Sequence, residues 1–195
     1  MTVEIKPAYD YEEQIRELFL EYTEMTKKNK PEFEKYLGKQ GFDEELKHLQ
    51  EKYGMPKGRL YLALSDGKPA GCIGLRRIDD KNCEMKRLYV RPQFRGQKIG
   101  RRLVETIIKD AREIGYQWML LDTFPFLKSA ILLYKKMGFY EVESYNNSPM
   151  EDLVYLKLDL VRSSSIHCQT PHPSNREYID MEKEAGANEE GAVKK

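Results

Sequence analysis

The stretch that decides the fold is Leu88-Tyr89-Val90-Arg91-Pro92-Gln93-Phe94-Arg95-Gly96-Gln97-Lys98-Ile99-Gly100-Arg101-Arg102-Leu103. An apolar strand ends at Pro92, and a loop with two glycines, Gly96 and Gly100, leads directly into a strongly amphipathic helix. Such a loop points several backbone N–H groups at one spot, where the helix dipole adds partial positive charge. The stretch therefore predicts a binding site for an anion, surrounded by basic side chains.

The composition limits the class of protein. A chain of 195 residues, 40% of them hydrophobic, suits one domain with a substantial core, or one domain plus a tail. The 33 basic and 32 acidic residues nearly cancel, which argues against nucleic acid or an anionic membrane as a partner. Between Arg76 and Arg102, however, ten Lys and Arg residues stand against three Asp and Glu residues. This local positive excess surrounds the predicted anion site.

Cysteine usage and the N-terminal residues indicate a cytoplasmic protein. The three cysteines are too few and too scattered for a disulfide framework, so Cys72 and Cys83 are expected to be small buried hydrophobes. No metal site is expected either, because His167, Cys168 and His172 lack a fourth ligand at zinc spacing. The first residues lack the apolar run of a signal peptide, and no apolar stretch approaches the roughly 18–20 residues that span a bilayer.

The first 54 residues are predicted to form one strand and three helical segments. Val3 to Ala8 has strand character, and Asp10 is placed as the N-cap of a helix whose apolar residues recur at helical spacing. Two charged helical segments follow, one ending at Gly38 and one running from an Asp43 cap to Gly54. Because these two segments pack weakly on their own, they are expected to form one wall of a site.

The rest of the domain is predicted to be a mixed sheet with two crossover helices. The elements expected after residue 54 are the strands Leu60–Ser65, Pro69–Ile78 and Cys83–Val90, a helix from Ile99, the strand Gln117–Asp122, a helix over Ser129–Met137, and the strands Phe139–Val142 and Asp152–Leu160. The first three strands form an antiparallel meander, with a hairpin turn at Asp66-Gly67. The strand from Gln117 follows a helical crossover and is expected to be parallel to its neighbour. The fold class is therefore α/β, with a mixed, mostly antiparallel central sheet of six to seven strands flanked by helices.

The composition changes at Val161. Serine, proline, glycine and glutamate dominate from there, with little periodicity, and such a segment buries too little apolar surface to offset its ordering entropy. Residues 1–160 are therefore predicted to be the domain, and residues 161–195 a mostly disordered tail.

Three local patterns resemble the GNAT superfamily of N-acetyltransferases. They are Glu84–Pro92, similar to the family's central strand, Arg95–Gly100, similar to its acetyl-CoA pyrophosphate loop, and Ala130–Phe139, similar to its late helix and following strand. The resemblance covers Thr2 to Leu160 and rests on the order and separation of all three patterns. It implies a splayed parallel strand pair at the cofactor site. It also implies transfer of an acetyl group from acetyl-CoA, as co-substrate, to a primary amine in a ternary complex.

The resemblance also implies roles for particular residues. Binding of acetyl-CoA falls to Leu88, Tyr89, Val90, Arg95, Gly96, Gln97, Lys98, Ile99, Gly100 and Arg101. Tyr134 is the candidate general acid for the departing thiolate, and Glu84 is the candidate general base, acting directly or through water. The residues alone leave alternatives open, since Tyr134 also lies on an apolar helix stripe, and Glu84 can pair with Lys86 or Arg76.

The chain departs from the family pattern at two positions. Lys98 replaces the middle glycine of the loop, and its N–H still serves a phosphate if its backbone angles suit a residue with a Cβ. Leu127 stands where many relatives have an asparagine, with Ser129 as the nearest polar substitute for contact to the pantetheine arm.

The identity of the acceptor is not encoded in a readable motif. Arg76, Arg77 and Arg87 could grip a carboxylate, which favours a small-molecule amine that bears one, while a protein N-terminus or lysine stays open as an acceptor. A catalytically silent member of the fold that binds acyl-CoA as a sensor or interaction module is the alternative function. A nucleotide phosphate-binding loop is set aside because the Gly-x-x-x-x-Gly-Lys-Ser/Thr pattern is missing. The sequence leaves the oligomeric state open, with a homodimer as one of the options.

Overall fold

The structure, a computed structural model, describes residues 2–39, 41–146, 148, 150 and 152–161. Its strands are β1 Val3–Pro7, β2 Arg59–Ser65, β3 Lys68–Arg77, β4 Asn82–Val90, β5 Trp118–Thr123, β6 Tyr140–Val142 and β7 Val154–Asp159. Its helices are α1 Glu12–Asn29, α2 Phe33–Lys39, α3 Phe42–Lys47, α4 Leu49–Tyr53, α5 Ile99–Ile114 and α6 Lys128–Lys136, with a short 3-10 helix over Pro92–Phe94. Apart from Val161, the predicted tail lies outside the described residues.

The seven strands form one sheet in the order β1-β2-β3-β4-β5-β7-β6. Every neighbouring pair is antiparallel except β4 and β5, which are parallel as the crossover predicts. This parallel pair holds over only three residue pairs, from Asn82 opposite Trp118 to Glu84 opposite Leu120. Beyond that point β4 continues to Val90, and no strand of the described residues pairs with it on this side. The predicted fold class, with its splayed parallel pair, is confirmed.

Each face of the sheet carries its own apolar core. On one face, α5 buries Ile99, Leu103 and Ile107 against the sheet. On the other face, helices α1 to α4 bury a second cluster that includes Phe19 and Tyr53. Burial of one such side chain contributes about 1.5–3 kcal/mol, so both helical layers are held mainly by apolar contact.

The helix boundaries in the first 54 residues differ from the prediction. Asp10 is not the cap of α1, because Tyr11 occupies that position and makes no side-chain capping bond. The predicted stop at Gly38 is also wrong, since α2 runs on to Lys39. Gly41, left-handed at φ 65°, precedes α3 in place of an Asp43 cap.

The segment predicted to run unbroken to Gly54 is two helices that meet at His48. The Arg16 guanidinium donates a hydrogen bond to the Leu46 carbonyl at 2.7 Å. A continuous helix would need that carbonyl for the backbone N–H of Gln50. A side chain of α1 therefore takes the place of one helical hydrogen bond, and the helix is broken there.

A bulge in β4 determines which side chains reach the second face. The β3–β4 register shifts between Cys72 and Gly74, and Arg87 has a positive φ of 59°. Because of the extra residue, Lys86 and Arg87 both point away from α5, whereas alternation would send them to opposite faces. Gly74 fits this close approach, because a Cβ there would lie 2.7 Å from the Tyr53 ring.

Candidate active site

A cavity of about 780 Å³ opens where β4 and β5 part. One wall is the end of β4 with the loop after it, and the facing wall is the end of β5 with the first turns of α6. Helices α1 and α2 contribute Tyr22, Met25, Asn29 and Phe33 to the lining. The predicted anion loop and Tyr134 therefore line the same cavity.

The loop before α5 has the backbone conformation that an anion site needs. Gly96 (φ 80°) and Lys98 (φ 59°) are both left-handed, and Gln97 between them is not. This alternation turns neighbouring N–H groups toward one concave point at the N-terminus of α5. Lys98 therefore adopts a left-handed conformation that favours glycine, although it carries a Cβ.

Most of the predicted cofactor-binding residues line the cavity. Those that do are Leu88, Tyr89, Val90, Arg95, Gly96, Lys98, Ile99, Gly100 and Arg101. The side chain of Gln97 points elsewhere, because its oxygen accepts a hydrogen bond from the Ser65 hydroxyl at 3.1 Å. The side chains of Arg95, Lys98 and Arg101 are exposed, and they bring positive charge to the loop.

The splayed end of β4 offers backbone donors to the cavity. The N–H of Arg91 donates to the Ala70 carbonyl beside β3 at 2.9 Å. Because N–H groups along a strand alternate between its two edges, those of Val90 and Leu88 face the edge that β5 has left. Leu88 and Val90 need no polar side chain to bind a ligand there.

Helix α6 presents Tyr134 to the cavity. The side chain is buried, its ring packs against Phe139 at 5.7 Å, and its hydroxyl makes no hydrogen bond to a described residue. Burial raises the pKa of the Tyr134 phenol, and the nearby Tyr22 and Asp122 raise it further. The phenol is therefore protonated at neutral pH and available as a hydrogen-bond donor. Leu127 and Ser129, at the start of this helix, also line the cavity.

Glu84 lies behind the cavity wall and not in it. Its carboxylate is fully buried and accepts hydrogen bonds from Arg76 and from the Tyr145 hydroxyl at 2.7 Å, and the Lys86 ammonium lies 3.6 Å away as an ion-pair partner. These include both partners named in the structural alternative. Burial followed by the charge of Glu84 raises the pKa of Tyr145, which remains a donor to the carboxylate. The role of Glu84 as general base stays a prediction.

The carboxylate that does line the cavity is that of Asp122, which was not among the predicted site residues. Its Oδ1 lies 3.1 Å from the Lys86 ammonium, and its Oδ2 accepts a hydrogen bond from the Asn146 amide at 3.0 Å. Burial favours the neutral acid, but the Lys86 charge and these two hydrogen bonds outweigh it, so the pKa of Asp122 lies below its usual value. A signal was available, because polar residues at the carboxyl ends of parallel strands mark ligand crevices.

The three arginines predicted to hold a substrate carboxylate are held by the chain's own carboxylates. Arg76 pairs with Glu84, and Arg77 pairs with Asp80 at 2.8 Å in the turn after β3. Neither lines the cavity. Arg87 does, but it is buried, and Glu45 engages it with two hydrogen bonds of 2.8 and 2.9 Å. A carboxylate grip by these arginines stays a prediction, and the pairing of each guanidinium within the fold argues against it.

The described part of the chain gives no sign of a membrane span or a metal site. None of its helices combines the length and the apolar character that crossing a membrane requires. Among the same residues, no group of three or more His, Cys, Asp or Glu side chains is placed to hold a metal ion.

Comparison with known proteins places the chain in a family. A model of the acetyltransferase (GNAT) family matches residues 13–139. An uncharacterized N-acetyltransferase of Dictyostelium discoideum is 34% identical over 222 aligned positions, which cover 82% of this chain and all of that one.

Solved structures show the same fold. An acetyltransferase of Streptococcus agalactiae superposes with a TM-score of 0.66 at 23% identity, covering 80% of this chain and 98% of that one. The Campylobacter jejuni N-acetyltransferase PseH, in complex with acetyl coenzyme A, gives a TM-score of 0.54 at 23% identity, covering 81% and 99%. With the family match and the relative together, this chain belongs to the GNAT family of acetyltransferases.

Proposed function

We propose that this protein transfers the acetyl group of acetyl-CoA to the primary amine of a small molecule, by direct transfer in a ternary complex. One observation carries the proposal: a loop built for an anion and the splayed end of β4 open into the same cavity as Tyr134. The acetyl coenzyme A bound to the structurally similar Campylobacter enzyme supports this choice of donor.

The residues present fit acetyl-CoA at its pyrophosphate and at its thioester. The left-handed Gly96 and Lys98 turn backbone donors toward the pyrophosphate position, and the exposed Arg95 and Arg101 add charge that attracts phosphates. The N–H of Val90 faces the parted edge of β4, where it can bond the thioester carbonyl. Its bond strengthens as negative charge develops on that oxygen.

The thioester supplies an activated acetyl group. The amine nitrogen forms a bond to the carbonyl carbon, the carbon–sulfur bond breaks, and the proton lost by the amine balances the one gained by the thiolate. Tyr134 stabilises the thiolate by donating a hydrogen bond as it departs. Proton transfer from an ordinary phenol to a thiolate is unfavourable by about 2 kcal/mol, because the pKa of the phenol exceeds that of the thiol. The raised pKa of Tyr134 makes this transfer still less favourable. The phenol therefore acts mainly as a donor.

The test is a Tyr134→Phe variant, which keeps the ring and removes the donor. We expect kcat to fall by roughly 100-fold, with the KM for acetyl-CoA unchanged. Release of the free thiol is followed with a thiol reagent, and mass spectrometry identifies the acetylated amine. An unchanged kcat would remove Tyr134 from the mechanism.

The withdrawn position of Glu84 favours the second candidate, a silent acyl-CoA-binding member of the family. With Glu84 behind the wall and Asp122 paired with Lys86, the described cavity residues offer no unpaired carboxylate to take a proton from the amine. Turnover separates the two functions. Tight binding of acetyl-CoA without acetylation of any amine would support the sensor.

A further inference from the structure

One group of the residues that line the cavity is apolar, beside the polar Asn29 of α1. It is formed by α1, α2, the segment after β5 and the residue before β7. Its apolar lining residues are Met25, Phe33, Phe124, Phe126 and Leu153. Phe33 meets Phe124 edge-on at 5.4 Å, and Phe124 stacks on Phe126 at 5.5 Å. We refer to these five residues as the apolar wall.

The five residues of the apolar wall differ in how far the fold buries them. Phe33 and Phe124 are almost fully buried, so they form the base of the wall. Met25, Phe126 and Leu153 are only half-buried and also line the cavity, so they leave apolar surface facing it. Apolar surface kept at the edge of a reaction cavity is typical of a binding site.

Asp122 stands at the inner end of this wall, two residues before Phe124. Each of its oxygens accepts one bond, from Lys86 and from Asn146, and a carboxylate has lone pairs for about four. The capacity left over suits the N–H groups of an amine. Asp122 and Tyr134 line the same cavity, so an amine held by the carboxylate lies in the cavity that also contains the phenol.

The electrostatics of this region select against highly charged acceptors. Asp122 is neutralised by Lys86, and Arg87 by Glu45, so the two ion pairs leave little net charge. A polyamine would find the lining carboxylate of Asp122 already paired with Lys86, and a dicarboxylate would find the lining guanidinium of Arg87 already held by Glu45. The apolar wall can instead bind an acceptor by burying an apolar group of that molecule.

We propose that the acceptor is a primary amine carried on an aromatic body, with its nitrogen held by Asp122 and its ring seated against Phe126, Met25 and Leu153. This inference rests on the proposed function, since it names the substrate class of the same reaction. Asp122 then sets the position of the nitrogen, and the apolar wall sets the position of the ring.

The experiment compares four acceptors with the full chain and acetyl-CoA: 2-phenylethylamine, ethanolamine, spermidine and a peptide with a free N-terminus. We expect kcat/KM for 2-phenylethylamine to exceed that for each of the others by at least about tenfold, because only its ring is buried on binding. A preference for spermidine, ethanolamine or the peptide would overturn the inference and leave the acetyltransferase function standing.

Variants then test the two halves of the site. Phe126→Ala and Met25→Ala should each raise the KM for 2-phenylethylamine several-fold, and Asp122→Asn should lower kcat/KM for every amine by at least about tenfold. The KM for acetyl-CoA should stay constant in all three, and Leu20→Ala, an exposed position on α1, serves as the matched control. An unchanged KM for 2-phenylethylamine in both alanine variants, each checked for folding by circular dichroism, would overturn the inference.

Failure of the proposed function looks different. Acetyl-CoA that binds, as calorimetry would show, but is not consumed with any amine would overturn both proposals in favour of the silent binder. Absence of binding would remove acetyl-CoA as the donor.

Discussion

At the scale of single residues, Lys98 is the departure from the family loop that the structure explains. Its left-handed conformation (φ 59°, ψ 16°) costs a residue with a Cβ about 1–2 kcal/mol, and glycine adopts it freely. Its exposed ammonium also stands beside the predicted pyrophosphate position. Backbone strain and side-chain charge can be separated at this one position.

We predict that Lys98→Gly and Lys98→Ala raise the KM for acetyl-CoA equally, because both lose the ammonium. Lys98→Gly should nevertheless be more stable than Lys98→Ala, by about 0.5–1 kcal/mol once the greater unfolded-state entropy of glycine is counted. Urea unfolding measures the stability, and initial rates measure KM. If the alanine variant proved the more stable, the left-handed conformation would be disproved.

The sequence predicts which residues belong to the site better than it predicts their hydrogen-bond and ion-pair partners. The glycine-containing loop stands out in the sequence because it interrupts the hydrophobic periodicity, and Tyr134 stands out because it lies on the apolar stripe of a predicted helix. Both line the cavity. The pairing of Glu84 with Tyr145, 61 residues away, depends on a loop that packs over the sheet. No local pattern records such a contact. Asp122 is a different case, because its place at the carboxyl end of a predicted parallel strand is visible in the sequence, whereas its pairing with Lys86 and Asn146 is not.

At the scale of elements, the β3–β4 bulge and helix α4 are built around each other. Gly74 in β3 lies against the fully buried ring of Tyr53 in α4, and a Cβ on Gly74 would lie 2.7 Å from that ring. Tyr53 also donates a hydrogen bond to Glu45 at 2.7 Å, so its ring is held by Gly74 at its edge and its hydroxyl by the carboxylate. Neither side has room to move.

Gly74→Ala should therefore lower the free energy of unfolding by about 1–3 kcal/mol, as overpacking of a rigid core does. Gly38→Ala is the matched control, since a Cβ there meets nothing within 4 Å in α2. That change should leave stability equal or raise it by up to about 1 kcal/mol. Thermal and urea unfolding of both variants give the comparison. Equal stabilities would mean that Tyr53 can shift to accept a methyl group.

The docking of α3 onto the sheet depends on a buried ion pair. Arg87 lies with its guanidinium 4.9 Å from the Phe42 ring centre and 5.7 Å from that of Phe19, and Glu45 of α3 neutralises it. Burial alone would raise the pKa of Glu45, but the hydrogen bonds and charges of Arg87 and Lys52 outweigh burial and hold it well below its usual value.

The break between α3 and α4 could not be predicted from the local sequence, because the side chain that takes the Leu46 carbonyl, Arg16, belongs to another helix.

We predict that Glu45→Gln lowers the free energy of unfolding at pH 7 by roughly 3–5 kcal/mol, because Arg87 is left buried without its counter-charge. The folded pKa of Glu45 lies below the unfolded one. The pair's contribution is therefore complete above the ordinary glutamate pKa of about 4.3 and is lost as the pH falls below it.

The difference between wild type and Glu45→Gln should consequently shrink as the pH is lowered from 7 toward 3, as measured by urea unfolding. Glu44→Gln, which removes an exposed carboxylate paired with Lys47, should change stability by less than about 1 kcal/mol at pH 7. A gap between wild type and Glu45→Gln that stayed constant with pH would contradict the ion-pair explanation.

At the scale of the whole molecule, charge is distributed unevenly although the net charge is only +1. The basic excess between Arg76 and Arg102 includes the exposed Arg95, Lys98 and Arg101 at the anion loop. The paired Lys86 and Arg87 of the same stretch face the interior instead. The fold thus divides one basic segment between an exposed positive mouth and the proposed acceptor region, where its charges are paired. This division follows from the β4 bulge and not from composition.

This division predicts different salt dependence for the two substrates. Between 50 and 500 mM NaCl, kcat/KM for acetyl-CoA should fall several-fold, because exposed charges more than a few ångströms apart are screened at high salt. The kcat/KM for 2-phenylethylamine should change little over the same range of salt, because its binding relies on burial of its apolar ring. Arg95→Gln with Arg101→Gln should weaken the dependence on salt, whereas Lys109→Gln, an exposed position farther along α5, should not. Parallel losses for both substrates would show that salt acts on the enzyme as a whole and that the acceptor region is not electrically separate from the mouth.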